Sequence, residues 1–171
     1  MRPDQREYTP IAQKYIDLVP EGNISEILNK QNTDSLLLLN TVTEEQANGR
    51  YAPDKWSLKT VIGHIADVER LWSYRLFRIA RGDAREFAGY DRDIFAEMSA
   101  CDQLPFNMVL QDYTAVRNAT VSLINNLSDE AMLRTGEFSD HKLSARACAY
   151  VIAGHETHHL NIIKSKYLAI E

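Results

Sequence analysis

The chain has 171 residues, of which 44% are hydrophobic and 25% are charged, a composition typical of a soluble globular protein. Its formal net charge of −5, with basic residues scattered along the chain, disfavours nucleic acids and anionic membranes as partners, because proteins that bind them carry a clustered basic face. The length predicts one domain over residues 1–171, large enough to bury a substantial core.

The first ten residues, MRPDQREYTP, contain charges and prolines but no apolar core, so they predict no signal peptide. No apolar run approaches the roughly 20 residues that a membrane-spanning helix needs. Cys101 and Cys148 lack CxxC spacing and do not suggest a disulfide framework. We therefore predict a cytoplasmic protein without a membrane partner.

Four long segments have apolar residues at helical spacing, and each begins with a recognisable start signal. Asn23, Ser57 and Ser144 are predicted N-caps, and Pro105 suits the first position of a helix. No convincing strand pattern is visible, so the predicted fold is an all-α four-helix bundle. The predicted helices span about residues 24–40, 57–81, 105–127 and 145–168.

Residues 82–104 form a long predicted connection between the second and third helices, with one helical turn near residues 94–98. A helix of about 25 residues is ~37 Å long. A link of this length, at up to ~3.3 Å per residue, can span that distance and return the chain to its starting end. The second and third helices can then run parallel, which gives up-down-down-up topology with a long crossover. In that arrangement the second and fourth helices are antiparallel.

Three of the five histidines lie on the fourth predicted helix. His155 and His159 are four residues apart, so they share a face, and they sit at the centre of its apolar stripe. His158 lies on the flank, and His64 lies at the edge of the apolar stripe on the second helix. A lone histidine on an apolar face is usually a hydrogen-bonded core residue, but three that converge favour a shared metal ion. Three imidazoles would leave coordination positions open, as in catalytic sites.

Two carboxylates near these histidines are candidate catalytic residues. Asp67 follows His64 by three positions, and Glu156 follows His155 directly. Either could accept a proton or orient a ligand ring. Each is also explained as a solvated charge on a helix surface.

The segment His155 to His159 also matches H-E-x-x-H, the zinc-protease helix in which the glutamate is the general base. Such enzymes need a third ligand downstream and a sheet beside the helix. Twelve residues follow His159; they include no histidine, and their only carboxylate is Glu171. The protease interpretation is therefore disfavoured.

Two stretches resemble the DinB-like superfamily, the damage-inducible and YfiT-like four-helix bundles. They are KWSLK at residues 55–59 leading to GHIADVE at 63–69, and IAGHETHH at 152–159. The likeness extends over most of the chain, from YIDLVPE at residue 15 to KYL at residue 168. In that family one histidine of the second helix and an H-x-x-x-H pair of the fourth hold a metal. The resemblance thus implies His64, His155 and His159 as ligands, up-down-down-up topology and a homodimer.

The resemblance also implies a reaction class. Characterised relatives include thiol-dependent S-transferases that use glutathione, mycothiol or bacillithiol, and a thiol-dependent maleylpyruvate isomerase. We therefore expect an enzyme that uses a divalent metal ion, zinc or nickel, and a low-molecular-weight thiol cosubstrate to modify a small-molecule electrophile. One alternative is a metal-dependent hydrolase that activates water, and another is a non-enzymatic, stress-related metal-binding protein.

Overall fold

The computed structural model describes residues 2–169 of the chain, and α-helices account for most of them. The helices are α1 (Gln13–Ile16), α2 (Ile24–Leu39), α3 (Glu44–Asn48), α4 (Leu58–Ala80), α5 (Arg92–Met98), α6 (Phe106–Asn125), α7 (Asp129–Leu133) and α8 (Ala145–Ile162). Two strands, β1 (Thr135–Phe138) and β2 (His141–Ser144), form an antiparallel hairpin. The long helices α2, α4, α6 and α8 pack in a closed ring, which confirms the predicted four-helix bundle.

The predicted N-caps begin three of these four helices. Asn23, Ser57 and Ser144 each accept hydrogen bonds from backbone N–H groups of the first turn that have no partner within the helix. Pro105, predicted at the first helical position, instead occupies the N-cap position of α6, so this helix begins one residue later than predicted. The last helix is α-helical to Ile162 and continues as a π-helical turn, so its end lies close to the predicted one.

The β-hairpin corrects the prediction that the chain contains no strand. Its strands are four residues each, too short for an alternating pattern to stand out in the sequence. Ser139 and Asp140 form the turn with φ angles of 51° and 61°, the left-handed conformation that two-residue hairpin turns require. His141, directly after this turn, is the first residue of β2.

Contacts between α4 and α6 show that the two helices run parallel. Near the start of both, the Lys59 ammonium donates a hydrogen bond to the Leu104 carbonyl at 2.7 Å. Near the end of both, Tyr74 and Phe77 line the same surface groove as Leu123. Residues 81–105, which include α5, therefore carry the chain back along the length of the bundle.

Helix α8 runs antiparallel to α4. Arg134, whose carbonyl accepts from the Ala145 N–H at the start of α8, donates a hydrogen bond to the Ala80 carbonyl at the end of α4. His64, early in α4, meets His155, midway along α8. These directions are consistent with the predicted up-down-down-up order. Within residues 2–169, no helix combines the length and apolarity needed to cross a bilayer.

A buried ion network joins the four long helices through Arg117, which is 1% exposed. From α6, its guanidinium donates to both oxygens of Glu69 on α4 at 2.7–3.1 Å. It also donates to the Leu28 carbonyl on α2 at 3.3 Å and to Glu156 on α8. Because these partners lie 39 to 89 positions from Arg117 in sequence, the network is a property of the assembled bundle.

Helix α1 packs against α8 at Gly154, where the two backbones come unusually close. A Cβ atom at Gly154 would lie 1.9 Å from the Tyr15 carbonyl oxygen and 2.4 Å from the carbonyl carbon. Only glycine leaves room for this contact. The contact holds the Tyr15 ring against the ring of His155, with their centroids 5.4 Å apart.

Replacing Arg117 with methionine should lower the free energy of unfolding by about 3–5 kcal/mol, because two buried carboxylates then lose their counter-charge. The measurement is urea denaturation followed by circular dichroism. Arg70→Met is the matched control, since the exposed Arg70 pairs with Asp67 and Asp112 at the surface; it should cost under about 1 kcal/mol. Equal losses in both variants would contradict a central role for the network.

Gly154→Ala should also destabilise the protein, by about 1–3 kcal/mol, because the added methyl group overlaps the Tyr15 backbone. Helix propensity alone predicts the opposite sign, a gain of roughly 1 kcal/mol from alanine. Urea denaturation decides between the two. Gly89→Ala is the control, since a Cβ there meets nothing within 4 Å. A stabilised Gly154→Ala protein would show that α1 does not dock as described.

Candidate metal centre

The structure brings His64, His155 and His159 together, the three histidines predicted as ligands. Their ring centroids are 4.9 Å apart for His64–His159, 5.1 Å for His64–His155 and 4.5 Å for His155–His159. One ligand nitrogen from each ring lies within 4.8 Å of the other two. The four-residue spacing on α8 stacks two rings on one face, and the antiparallel α4 supplies the third.

Two aromatic residues flank this cluster of histidines. The Trp56 ring, just before α4, lies 4.9 Å from the His64 ring between centroids. Tyr15 contacts His155 from the other side, held there by the close approach at Gly154. Aromatic packing on rigid helices limits the rotation of the imidazoles, so the cluster is preorganised.

All three imidazoles are neutral at pH 7. Burial lowers the pKa of His64 to about 4, and the charge of Arg92 contributes. Burial, followed by His64 and His158, lowers the pKa of His159 to about 3. The pKa of His155 also falls well below its usual value, chiefly through burial and then through His159 and the two other nearby histidines. Each ring therefore offers a nitrogen lone pair at neutral pH.

The donor set fits a divalent metal ion. Within residues 2–169, His141 is the one histidine whose ring has a hydrogen-bond partner in the protein, the Ser139 carbonyl at 2.6 Å. The rings of His64, His155 and His159 make no hydrogen bond in that part of the chain, so one nitrogen of each is available to a ligand. A single cation satisfies one nitrogen from each ring. Imidazole is a preferred ligand of zinc, nickel and similar ions.

A cavity of about 670 Å³ lies against the cluster, and all three histidines form part of its wall. Exposed residues of the same wall, including Pro10, Lys14 and Arg92, show that the cavity reaches the protein surface. Its volume is that of a typical small-molecule site. A ligand can therefore reach the histidines from solvent. Aromatic side chains also line the cavity: Tyr15, Trp72, Tyr90 and Phe138.

Asp67, a predicted catalytic residue, is half-buried on α4 and is not part of the cavity wall. Burial raises the pKa of its carboxyl group, and Arg70, which donates a hydrogen bond to it at 3.2 Å, opposes that rise. A role as proton acceptor stays a prediction for this residue.

Glu156, the other predicted catalytic residue, is fully buried and its carboxylate belongs to the ion network. One oxygen accepts hydrogen bonds from Tyr113 and from Ser35, the latter at 2.7 Å, and the other accepts from Arg117. This carboxylate therefore stabilises the bundle beside His155, and its catalytic role stays a prediction. These contacts also weigh against the protease motif, in which the glutamate must face the metal. Glu171 lies outside the described residues.

Arg75 lines the cavity, although the sequence assigned it no role. It lies eleven residues after His64 on α4, which places the two within about 20° of each other around the helix. The helical wheel puts Arg75 beside His64, but an arginine at the edge of an apolar stripe is usually a solvated surface charge. Its burial depends on the β-hairpin, which the sequence did not predict.

Comparison with known proteins agrees with this architecture. Residues 27–163 match the model of the DinB superfamily, a range that contains all three clustered histidines. The fold resembles that of YfiT from Bacillus subtilis, with a TM-score of 0.72 and 16% sequence identity over 100% of this chain and 95% of that chain. YfiT is described as a probable metal-dependent hydrolase with an unusual four-helix bundle topology. None of the curated proteins matches the chain significantly.

Proposed function

The chain belongs to the DinB superfamily, and we propose that it is a metal-dependent enzyme whose divalent ion is held by His64, His155 and His159. The observation that carries this proposal is the convergence of three neutral, otherwise unbonded imidazoles in the wall of one cavity. Three protein ligands suit a catalytic site, because coordination positions remain for substrate. Zinc and nickel both bind imidazole well.

A divalent ion held by His64, His155 and His159 would lower the pKa of a thiol or water molecule and so provide a nucleophile near neutral pH. The protein supplies the rest. Burial keeps the three rings neutral, and Trp56 and Tyr15 hold two of them in position. The aromatic wall of the cavity binds the apolar part of a substrate and excludes water from it.

We favour thiol-dependent S-transfer as the reaction. In this step a low-molecular-weight thiol loses its proton to solvent and its sulfur forms a bond to an electrophilic carbon. The group displaced from that carbon leaves with the electron pair. The cavity volume of about 670 Å³ supports this choice, since it can accommodate a small thiol and an electrophile together.

Hydrolysis is the second candidate, and the likeness to the YfiT fold favours it. The same three histidines would then serve a site at which water attacks an ester or amide carbon. A solely structural ion, as in a stress-related metal-binding protein, is the third candidate. The open cavity beside the cluster argues against it, because structural sites are usually closed by protein ligands.

Quaternary structure and location complete the proposal. The family resemblance implies a homodimer, and the composition and length of the chain favour a cytoplasmic location and one domain per chain. Light scattering after size-exclusion chromatography measures the subunit number directly. A monomer at micromolar concentration would overturn the dimer while leaving the metal centre unaffected.

Alanine substitution of His64, His155 or His159 should abolish stable metal binding, because two imidazoles hold a divalent ion much more weakly than three. Stripped protein is reloaded with zinc or nickel and desalted, and its metal content is measured by mass spectrometry. Wild type should retain about one ion per chain. His158→Ala and His141→Ala are matched controls that should retain it as well. Full metal content in any of the three ligand variants would exclude that residue as a ligand.

Chelator-stripped protein, reloaded with one metal at a time, should consume electrophiles such as 1-chloro-2,4-dinitrobenzene only when a thiol is present. The thiol panel contains glutathione, cysteine and bacillithiol, and product formation is followed by absorbance. His155→Ala should lose at least 100-fold in rate, since the ion no longer lowers the thiol pKa. Metal-dependent turnover of p-nitrophenyl esters without thiol would establish hydrolysis instead. Absence of both activities, with lower thermal stability after metal removal, would favour a structural ion.

A further inference from the structure

The guanidinium of Arg75 is buried without an acidic partner. Its side chain is 3% exposed, and its one hydrogen bond within residues 2–169 runs to the Ala88 carbonyl at 3.0 Å. Arg117, the other deeply buried arginine of the bundle, is matched by two carboxylates. Buried charges are normally paired, because desolvation of an isolated ion is expensive. In agreement, burial lowers the pKa of Arg75.

Two aromatic rings hold this guanidinium in place. Its central carbon lies 4.2 Å from the centroid of the Phe138 ring and 4.8 Å from that of Trp72. Cation–π contacts of this kind offset part of the desolvation cost but use none of the N–H donors. A guanidinium has five donors, so most of those on Arg75 remain for a ligand. Their planar fork matches the two oxygens of a carboxylate.

Arg75 and the metal centre share one cavity. The helical rise of about 1.5 Å per residue places the Arg75 and His64 backbones about 16 Å apart along α4, on the same face. The Arg75 guanidinium packs against the ring of Trp72, which lies three residues nearer to His64 on α4. Aromatic residues line the space between the two ends: Trp72, Tyr90 and Phe138.

The wall of the cavity is positively charged in a protein whose net charge is −5. Lys14, Arg75 and Arg92 contribute to it, and no described residue with a carboxylate does. Lys14 is exposed, and Arg92 is exposed with Asp93 at 3.6 Å. Of these three cations, Arg75 is therefore the one that is buried, and no acidic residue balances its charge.

We propose that the cavity binds an elongated organic carboxylate, with its carboxylate on Arg75, its apolar body between the aromatic residues and its far end at the three histidines. The identification of that far end as the reacting end rests on the proposed function. The carboxylate subsite itself needs no metal. Arg75 is thus a specificity-determining residue, and the substrate or thiol cosubstrate is an anion.

The test is equilibrium binding of phenylalkanoates, from phenylacetate to 5-phenylpentanoate, and of their neutral carboxamides. Chelator-treated protein is used so that no ion can attract the carboxylate, and binding is followed by calorimetry and by the fluorescence of Trp72 and Trp56. Wild type should bind at least one carboxylate tenfold or more tightly than its carboxamide. Arg75→Gln should lose that preference while its affinity for the carboxamide stays within twofold.

Arg70→Gln is the matched control, because it removes one positive charge from the same helix outside the cavity; it should keep the preference. Equal affinities for carboxylate and carboxamide, or no binding by any phenylalkanoate, would overturn the proposal, as would a preference that survives in Arg75→Gln. If Arg75→Gln does not fold, the relative affinities of the wild-type protein for carboxylate and carboxamide still test whether the cavity prefers an anion. The same preference in His155→Ala protein would show that the subsite stands even where the metal proposal fails.

Discussion

The ion pairs of Arg117 fix the relative positions of the helices that carry the histidines. Glu69 lies five residues after His64 on α4, and Glu156 follows His155 directly on α8. One guanidinium binds both carboxylates, so neither helix can slide or rotate without breaking a buried ion pair. Three ionised groups in the interior are costly to desolvate. We infer that their benefit is a unique register between α4 and α8, on which convergence of the imidazoles depends.

Helix α8 serves two purposes because consecutive residues point about 100° apart. His155 and His159 face the cavity, while Glu156 faces the ion network. Because Glu156 is adjacent to His155, the network also restrains the position of His155 on the helix. Gly154 also constrains His155. Because glycine has no side chain, the Tyr15 backbone can approach α8, and this brings the Tyr15 ring against the ring of His155. The histidine cluster is therefore supported by contacts of Gly154 and Glu156, the residues on either side of His155 in sequence.

Arg117 and Arg75 show how the surroundings of a buried arginine distinguish two kinds of role. The Arg117 guanidinium donates hydrogen bonds to two carboxylates within the protein, so its charge stabilises the packing of the bundle. Arg75 is held by aromatic faces and one carbonyl, and it lines a cavity with N–H donors that no described residue binds. A cavity with imidazoles at one end and an unbalanced cation at the other has distinct polar ends. Such an arrangement orients an elongated anion in one direction.

The sequence by itself determined the features that depend on local periodicity and local hydrogen bonds. These were the approximate extents of the four long helices, three of their N-caps and the shared face of His155 and His159, because each is set within a few residues. The meeting of His64 with that pair was predicted from helix direction and from the family resemblance. Only the tertiary structure decided the rest. The network around Glu156 and the packing of Arg75 against Phe138 depend on partners distant in sequence, which local periodicity does not identify. The hairpin at residues 135–144 pairs residues close in sequence, but its strands are too short for an alternating pattern to be recognised.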